Sequence, residues 1–183
     1  HNLREVVDAS VATIDNPDIT VPELMRHMTG PDFPTGGIIF GSEGIKEAYN
    51  TGRGKIIIRG RANVEHGRNN KSSIIISEMP YQVNKASFIE KTADLVRDRK
   101  IEGISDLRDE SDRDGLRVVI ELKRDAIPRV VLNRLYKHTQ MQTTFGAILL
   151  ALVDGVPRVM GLREMLLHFV DHRHEVVVRR SEY

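Results

Sequence analysis

Between Gly52 and Ser77 the chain reads GRGKIIIRGRANVEHGRNNKSSIIIS, and its period of two constrains the fold more than any other feature. Gly54, Ile56, Ile58, Gly60, Ala62 and Val64 share one parity; Arg53, Lys55, Ile57, Arg59, Arg61 and Asn63 share the other. Successive side chains of a strand point to opposite faces, so the segment is predicted to be one strand with an apolar face and a basic face. HGRNN, from His66 to Asn70, has the composition of a hairpin loop, and the chain from Lys71 returns as the paired strand until Pro80 ends it.

An apolar sheet face must be covered, and the sequence supplies helices for that purpose. Asn84 can cap a helix carrying Phe88, Ile89, Thr92, Leu95 and Val96 on one side, and Pro128 opens another through Val131, Leu132 and Leu135. LRVVIEL, from Leu116 to Leu122, reads as a strand, and Asp154-Gly155 is a hairpin turn between FGAILLALV and VPRVM. These groupings predict an α+β fold, a mostly antiparallel sheet with helices packed on it.

Upstream, Leu3, Val6, Val7, Ser10, Val11 and Ile14 recur at helical spacing until Asn16-Pro17. Thr20 and Glu23 stand in capping-box relation with Pro22 in the first turn of a second helix. Thr29 to Gly37 is too rich in Pro and Gly for regular structure, and Ser42 to Asn50 reads as a short helix ending at Gly52. A long helix begins at Leu162. The expected organisation is therefore an N-terminal helical piece over 1–28, the main α+β domain over 29–160, and the start of a long C-terminal helix over 161–183. The chain begins and stops inside helical patterns, which is expected of a segment of a longer protein.

The absence of cysteine excludes disulfides, thiolate metal sites and a cysteine nucleophile. No apolar run approaches the roughly 20 residues of a membrane span and no signal-peptide pattern opens the chain, so a cytoplasmic setting without membrane contact is expected. The net charge of +1 conceals an asymmetry. From Arg53 to Lys71 there are six basic residues against one acid, Glu65, whereas Asp106 to Gly115 holds five acids and two bases.

Several constellations suggest chemistry and have simpler readings. Glu110, Asp112, Asp114, Gly115 and Glu121 fall on positions 1, 3, 5, 6 and 12 of a calcium-loop template, but position 1 wants Asp and the segment after Gly115 reads as a strand where that motif needs a helix. A charged turn, with Arg108, Arg113 and Arg117 pairing the carboxylates, is the favoured reading. His168 and His172 lie four apart on one helix face, yet Phe169 stands where a zincin would carry Glu. GRGK lacks phosphate-loop spacing, and Tyr49, Tyr81, Tyr136 and Tyr183 have no neighbouring base pattern. No complete catalytic site is expected in this segment, and no metal or cofactor site.

What remains is the basic face. Arg53, Lys55, Arg59 and Arg61 would project to one side about 7 Å apart at alternate residues, close to the phosphate spacing of a nucleic-acid strand. Such a row suits sequence-neutral, salt-sensitive backbone contact. A merely solvated sheet face is the alternative.

HNLREVVDA, IDNPDIT, GPDFPTGG, GRGKIIIRGRANVE, MPYQVNKASFIEK, IEGISDLRDESDRDGLRVVIELKRDA and HRHEVVVRR resemble, in order and spacing, the A subunits of bacterial DNA gyrase, type IIA topoisomerases. The resemblance covers essentially the whole chain, and the A subunit of topoisomerase IV is the one close competitor. It implies that residues 29–160 are the tower domain and that 161–183 begin the coiled coil leading to the exit gate. In such enzymes one duplex is cut through a tyrosyl phosphate and a second is passed through the break, using ATP hydrolysed, with magnesium, by the B subunit of an A2B2 complex. The resemblance places the catalytic tyrosine in a winged-helix region ahead of residue 1 and the contacts of the second A subunit outside this stretch, so the isolated segment is expected to be inactive. It also implies that Arg53, Lys55, Arg59 and Arg61 hold one arm of a bent double-stranded DNA. A structural spacer that touches no DNA is the competing expectation.

Overall fold

The computed structural model describes all 183 residues, His1–Tyr183. In chain order the elements are α1 (Leu3–Asp15), α2 (Val21–Leu24), β1 (Ile38–Ile39), α3 (Glu43–Thr51), β2 (Arg53–Arg59), β3 (Arg61–His66), β4 (Ser72–Glu78), α4 (Lys85–Arg97), β5 (Ile104–Asp109), β6 (Val118–Leu122), α5 (Pro128–His138), β7 (Gln142–Ile148), β8 (Leu150–Val153), β9 (Val156–Val159) and α6 (Leu162–Ser181). Three sheets form, with strand orders β1-β2-β7, β3-β4-β6-β5 and β8-β9, and the pairings β1–β2, β3–β4, β4–β6, β5–β6 and β8–β9 are antiparallel. The fold is α+β, as the sequence predicts.

The residues group into two units: 1–32 with 41–56 and 145–183, and 33–40 with 57–144. In the second unit α5 packs on β4 and α4 on β5. Ile74 and Ile76 of β4, Val118 and Ile120 of β6, Phe88 and Leu95 of α4, and Val131 and Leu135 of α5 are buried together in one apolar core. Asn84 caps α4 as predicted, its Oδ1 accepting the Ser87 N–H at 3.0 Å. The β3–β4 hairpin is closed over Gly67–Lys71, with Asn69 and Asn70 both in the left-handed region at φ 61° and 56°, which asparagine tolerates better than most residues.

In the first unit α1, α2 and α3 pack on α6. The Thr20 N–H donates to Glu23 Oε2 at 2.8 Å, closing the predicted capping box, and Asp154 and Gly155 turn the β8–β9 hairpin at φ 49° and 78°. α3 lies unusually close to β2. A Cβ on Gly44 would fall on the Lys55 carbonyl group, and one on Gly54 would come within 2.7 Å of the Ala48 nitrogen.

The helix predicted from Leu3 to Ile14 forms as α1, with its apolar stripe turned outward: Ala9 and Thr13 are buried, while Leu3, Val7, Val11 and Ile14 are exposed. Small side chains permit close packing on that side, and Thr13 satisfies its buried hydroxyl by donating to the Ala9 carbonyl at 2.8 Å. One expectation needs correction: the segment from Arg53 to Asn63 is not the single strand predicted. It breaks at Gly60, whose N–H donates to the Met141 carbonyl at 2.8 Å, and a register shift follows between Arg61 and Ala62. β2 and β3 therefore belong to different sheets.

Candidate nucleic-acid interface

The four predicted contact residues are divided by this break. Arg53 and Lys55 belong to the first unit, and Arg59 and Arg61 to the second. Along β2 the burial alternates: Gly54, Ile56 and Ile58 are buried, and Arg53 and Lys55 on the other parity are exposed. Neither of these two forms an ion pair. The Thr51 hydroxyl pins the backbone at the start of β2, donating to the Arg53 carbonyl at 2.9 Å and accepting the Arg53 N–H at 3.2 Å.

Arg59 is half-buried and engaged on three sides. Its Nε donates to Gln142 Oε1 at 2.8 Å, and its guanidinium carbon lies 3.7 Å from the ring centroid of Phe40 and 4.3 Å from that of Tyr136. Both rings present negative faces to the cation, an arrangement that gathers residues of β2, α5 and β7 and the residue after β1 into one cluster. Burial raises the Tyr136 hydroxyl above its ordinary value, with the Arg59 charge opposing that rise. Arg61 donates through Nε to Glu78 Oε2 at 3.2 Å, and the same carboxylate accepts the Gly37 N–H at 2.6 Å. The Gly37 N–H, and after it Arg61, hold the Glu78 carboxyl below its usual range against the opposing effect of burial.

Sequence reasoning missed these partners because they are distant along the chain: Gln142 and Tyr136 lie far beyond Arg59, and Glu78 sits across the hairpin from Arg61. The geometry can deliver free cationic charge from Arg53 and Lys55. From Arg59 and Arg61 it delivers charge already shared with internal partners.

In the acidic stretch Arg108 and Arg117 pair carboxylates as predicted, whereas Arg113, Asp112 and Asp114 form no ion pair. Arg108 on β5 contacts Asp106 at 3.0 Å, Glu110 at 3.2 Å and Glu121 at 2.8 Å, and Arg117 contacts Glu110 at 3.3 Å and Glu65 at 3.4 Å. Lys85, 2.8 Å away, holds Asp109 down to about 2, with the Ser111 hydroxyl and N–H assisting. Glu121 lies in β6, where the calcium-loop template requires a helix. His168 and His172 both lie on α6, and His168 approaches Glu164 at 3.8 Å. Tyr49 is buried and meets the His1 ring at 2.9 Å, and burial pushes its hydroxyl far above the ordinary value. No helix is long and apolar enough to cross a membrane.

Comparison with known proteins bears on the whole chain. Residues 1–183 match the family of DNA gyrase/topoisomerase IV A subunits. The DNA gyrase A subunit of Pseudomonas aeruginosa is 60% identical over 185 residues, covering 100% of this chain and 20% of that protein. The DNA gyrase A subunit of Clostridium acetobutylicum is 55% identical over 183 residues, and that of Synechocystis is 57% identical over 187, each covering 100% of this chain and 22% of the relative. The chain thus spans about a fifth of the length of these relatives. Match over every residue, at such identity, shows that the chain belongs to the family of DNA gyrase/topoisomerase IV A subunits.

Proposed function

We propose that this chain is the tower segment of a DNA gyrase A subunit, and that it steadies the backbone of the bent duplex at the DNA gate while α6 links that gate to the exit gate. The observation that carries the proposal is the free pair Arg53 and Lys55, exposed on alternate positions of a strand whose other parity is buried. Side chains at that spacing, about 7 Å, match successive phosphates, and contacts outside the cleavage centre can offset part of a bending cost on the order of 1–6 kcal/mol. Arg59, whose partners Phe40, Tyr136 and Gln142 are uncharged, adds to the positive potential, whereas the charge of Arg61 is offset by Glu78.

On this reading the parent enzyme is an ATP-dependent, cytoplasmic type II topoisomerase. ATP and magnesium enter through the B subunit of an A2B2 complex, and the second A subunit meets this one outside the present segment. The 183-residue chain alone is expected to leave the linking number of a supercoiled plasmid unchanged. Arg53→Glu/Lys55→Glu introduced into the full-length A subunit, assembled with its B subunit, is expected to weaken gate-duplex binding about tenfold and to slow ATP-dependent strand passage to a similar degree. Unchanged binding and turnover would instead identify the segment as a spacer.

A further inference from the structure

The four-stranded sheet of the second unit is electrically polarised. Pairing of His66 with Ser72, Ser73 with Glu121, and Ile104 with Leu122 brings three loops, residues 67–71, 98–103 and 123–127, to one end of the sheet. Pairing of Asp109 with Val118 and Arg61 with Glu78 puts the acidic turn and Arg61 at the other end. Arg68, Lys71, Arg99, Lys100, Lys123 and Arg124 crowd the three loops against Asp98, Glu102 and Asp125. All six cations are exposed, and none forms a salt bridge.

The loops are contiguous. Asn69 and Asn70 of the hairpin tip share a cleft of about 340 Å³ with Arg124 and Asp125, and Arg99 shares one of about 650 Å³ with Lys123. The Lys123 N–H donates to the Gly103 carbonyl at 2.8 Å, tying two of the loops together. Arg99 sits just past the end of α4 at φ 55°, a place that glycine fills with less strain.

We infer that these three loops form a second phosphate-contact surface for double-stranded nucleic acid, separate from Arg53 and Lys55. The inference rests on the reading that this chain contacts duplex DNA. Unpaired lysine and arginine on ordered backbone are what phosphate contact requires. The loops hold no aromatic residue on which unpaired bases could stack, so the chemistry favours the backbone of a duplex over a single strand. Arg61, at the other end of the sheet, is paired with Glu78, whereas none of the loop cations is held in a salt bridge.

The test is a fluorescence-anisotropy salt series on this chain with a labelled duplex of about 30 base pairs. The variants are Arg68→Glu/Lys71→Glu, Lys123→Glu/Arg124→Glu, Arg53→Glu/Lys55→Glu, and Lys91→Glu/Lys137→Glu, which makes the same charge change at exposed helix positions. Each loop variant is expected to keep the parent melting temperature, to lose about tenfold in affinity and to lower the salt slope by roughly two, with a change below about one for the helix control. Loop variants that behave like the control while Arg53→Glu/Lys55→Glu loses binding would overturn the loop surface and leave the broader reading standing. Absence of any duplex binding at low salt would overturn both. Loop variants that lose a polyglutamate peptide but keep the duplex would reassign the loops to an acidic protein partner and overturn the inference.

Discussion

Gly44→Ala is expected to lower the stability of the chain by about 3 kcal/mol, read as a shift of the urea midpoint for the first unit. The methyl group would fall on the Lys55 carbonyl, and no flexible side-chain end is available to yield, because the contact is backbone of α3 against backbone of β2. Relief requires α3 to lift from the strand, which opens the packing of Ile45, Ala48 and Tyr49, all buried. Gly146→Ala is the matched control. A Cβ there meets nothing within 4 Å, so the change should stay within about 0.5 kcal/mol. On the proposed reading the effect also bears on duplex contact, since Lys55 is presented by the strand that α3 braces.

Arg59→Ala should cost about 3 kcal/mol while changing the salt slope of duplex binding by less than about one. The loss combines two cation–ring contacts of about 0.5–2 kcal/mol each with a charge-assisted hydrogen bond to Gln142 of about 1.5–3 kcal/mol, part of it returned by solvent entering the site. Arg59→Lys should recover only a fraction, because an ammonium group cannot lie flat between Phe40 and Tyr136 and still reach Gln142 Oε1. Denaturation and binding measured on the same preparations separate the two roles. A stable Arg59→Ala variant with a much reduced salt slope would make Arg59 a phosphate contact and not a brace.

Local chemistry made much of this fold legible. The caps of α2 and α4, the left-handed glycine after α3, the β3–β4 and β8–β9 hairpins and the proline at the start of α5 each depend on residues within a few positions of one another. The break at Gly60 was not legible, because the alternation of parity continues through it and its cause, the Met141 carbonyl, lies 81 residues on. β5 was hidden for another reason. Its side chains Asp106, Arg108 and Asp109 are exposed and held in ion pairs, so the strand carries the composition of a loop. In α1 most of the apolar residues that announced the helix, Leu3, Val7, Val11 and Ile14, are left outside, and the fully buried positions are Ala9 and Thr13, which carry almost no hydrophobic signal. The basic row divides along the same lines: alternation located all four residues, and only tertiary structure separated the free pair from the engaged pair.

The most direct measurement of the central claim is the salt dependence of duplex binding by the 183-residue chain and by its Arg53→Glu/Lys55→Glu variant, followed by anisotropy between about 50 and 200 mM salt. A salt slope lower by roughly two in the variant, at unchanged melting temperature, is the result predicted for a strand that lies along phosphates. Parallel lines for the two proteins, or no binding by either, would contradict it and leave the basic face as a solvated sheet face.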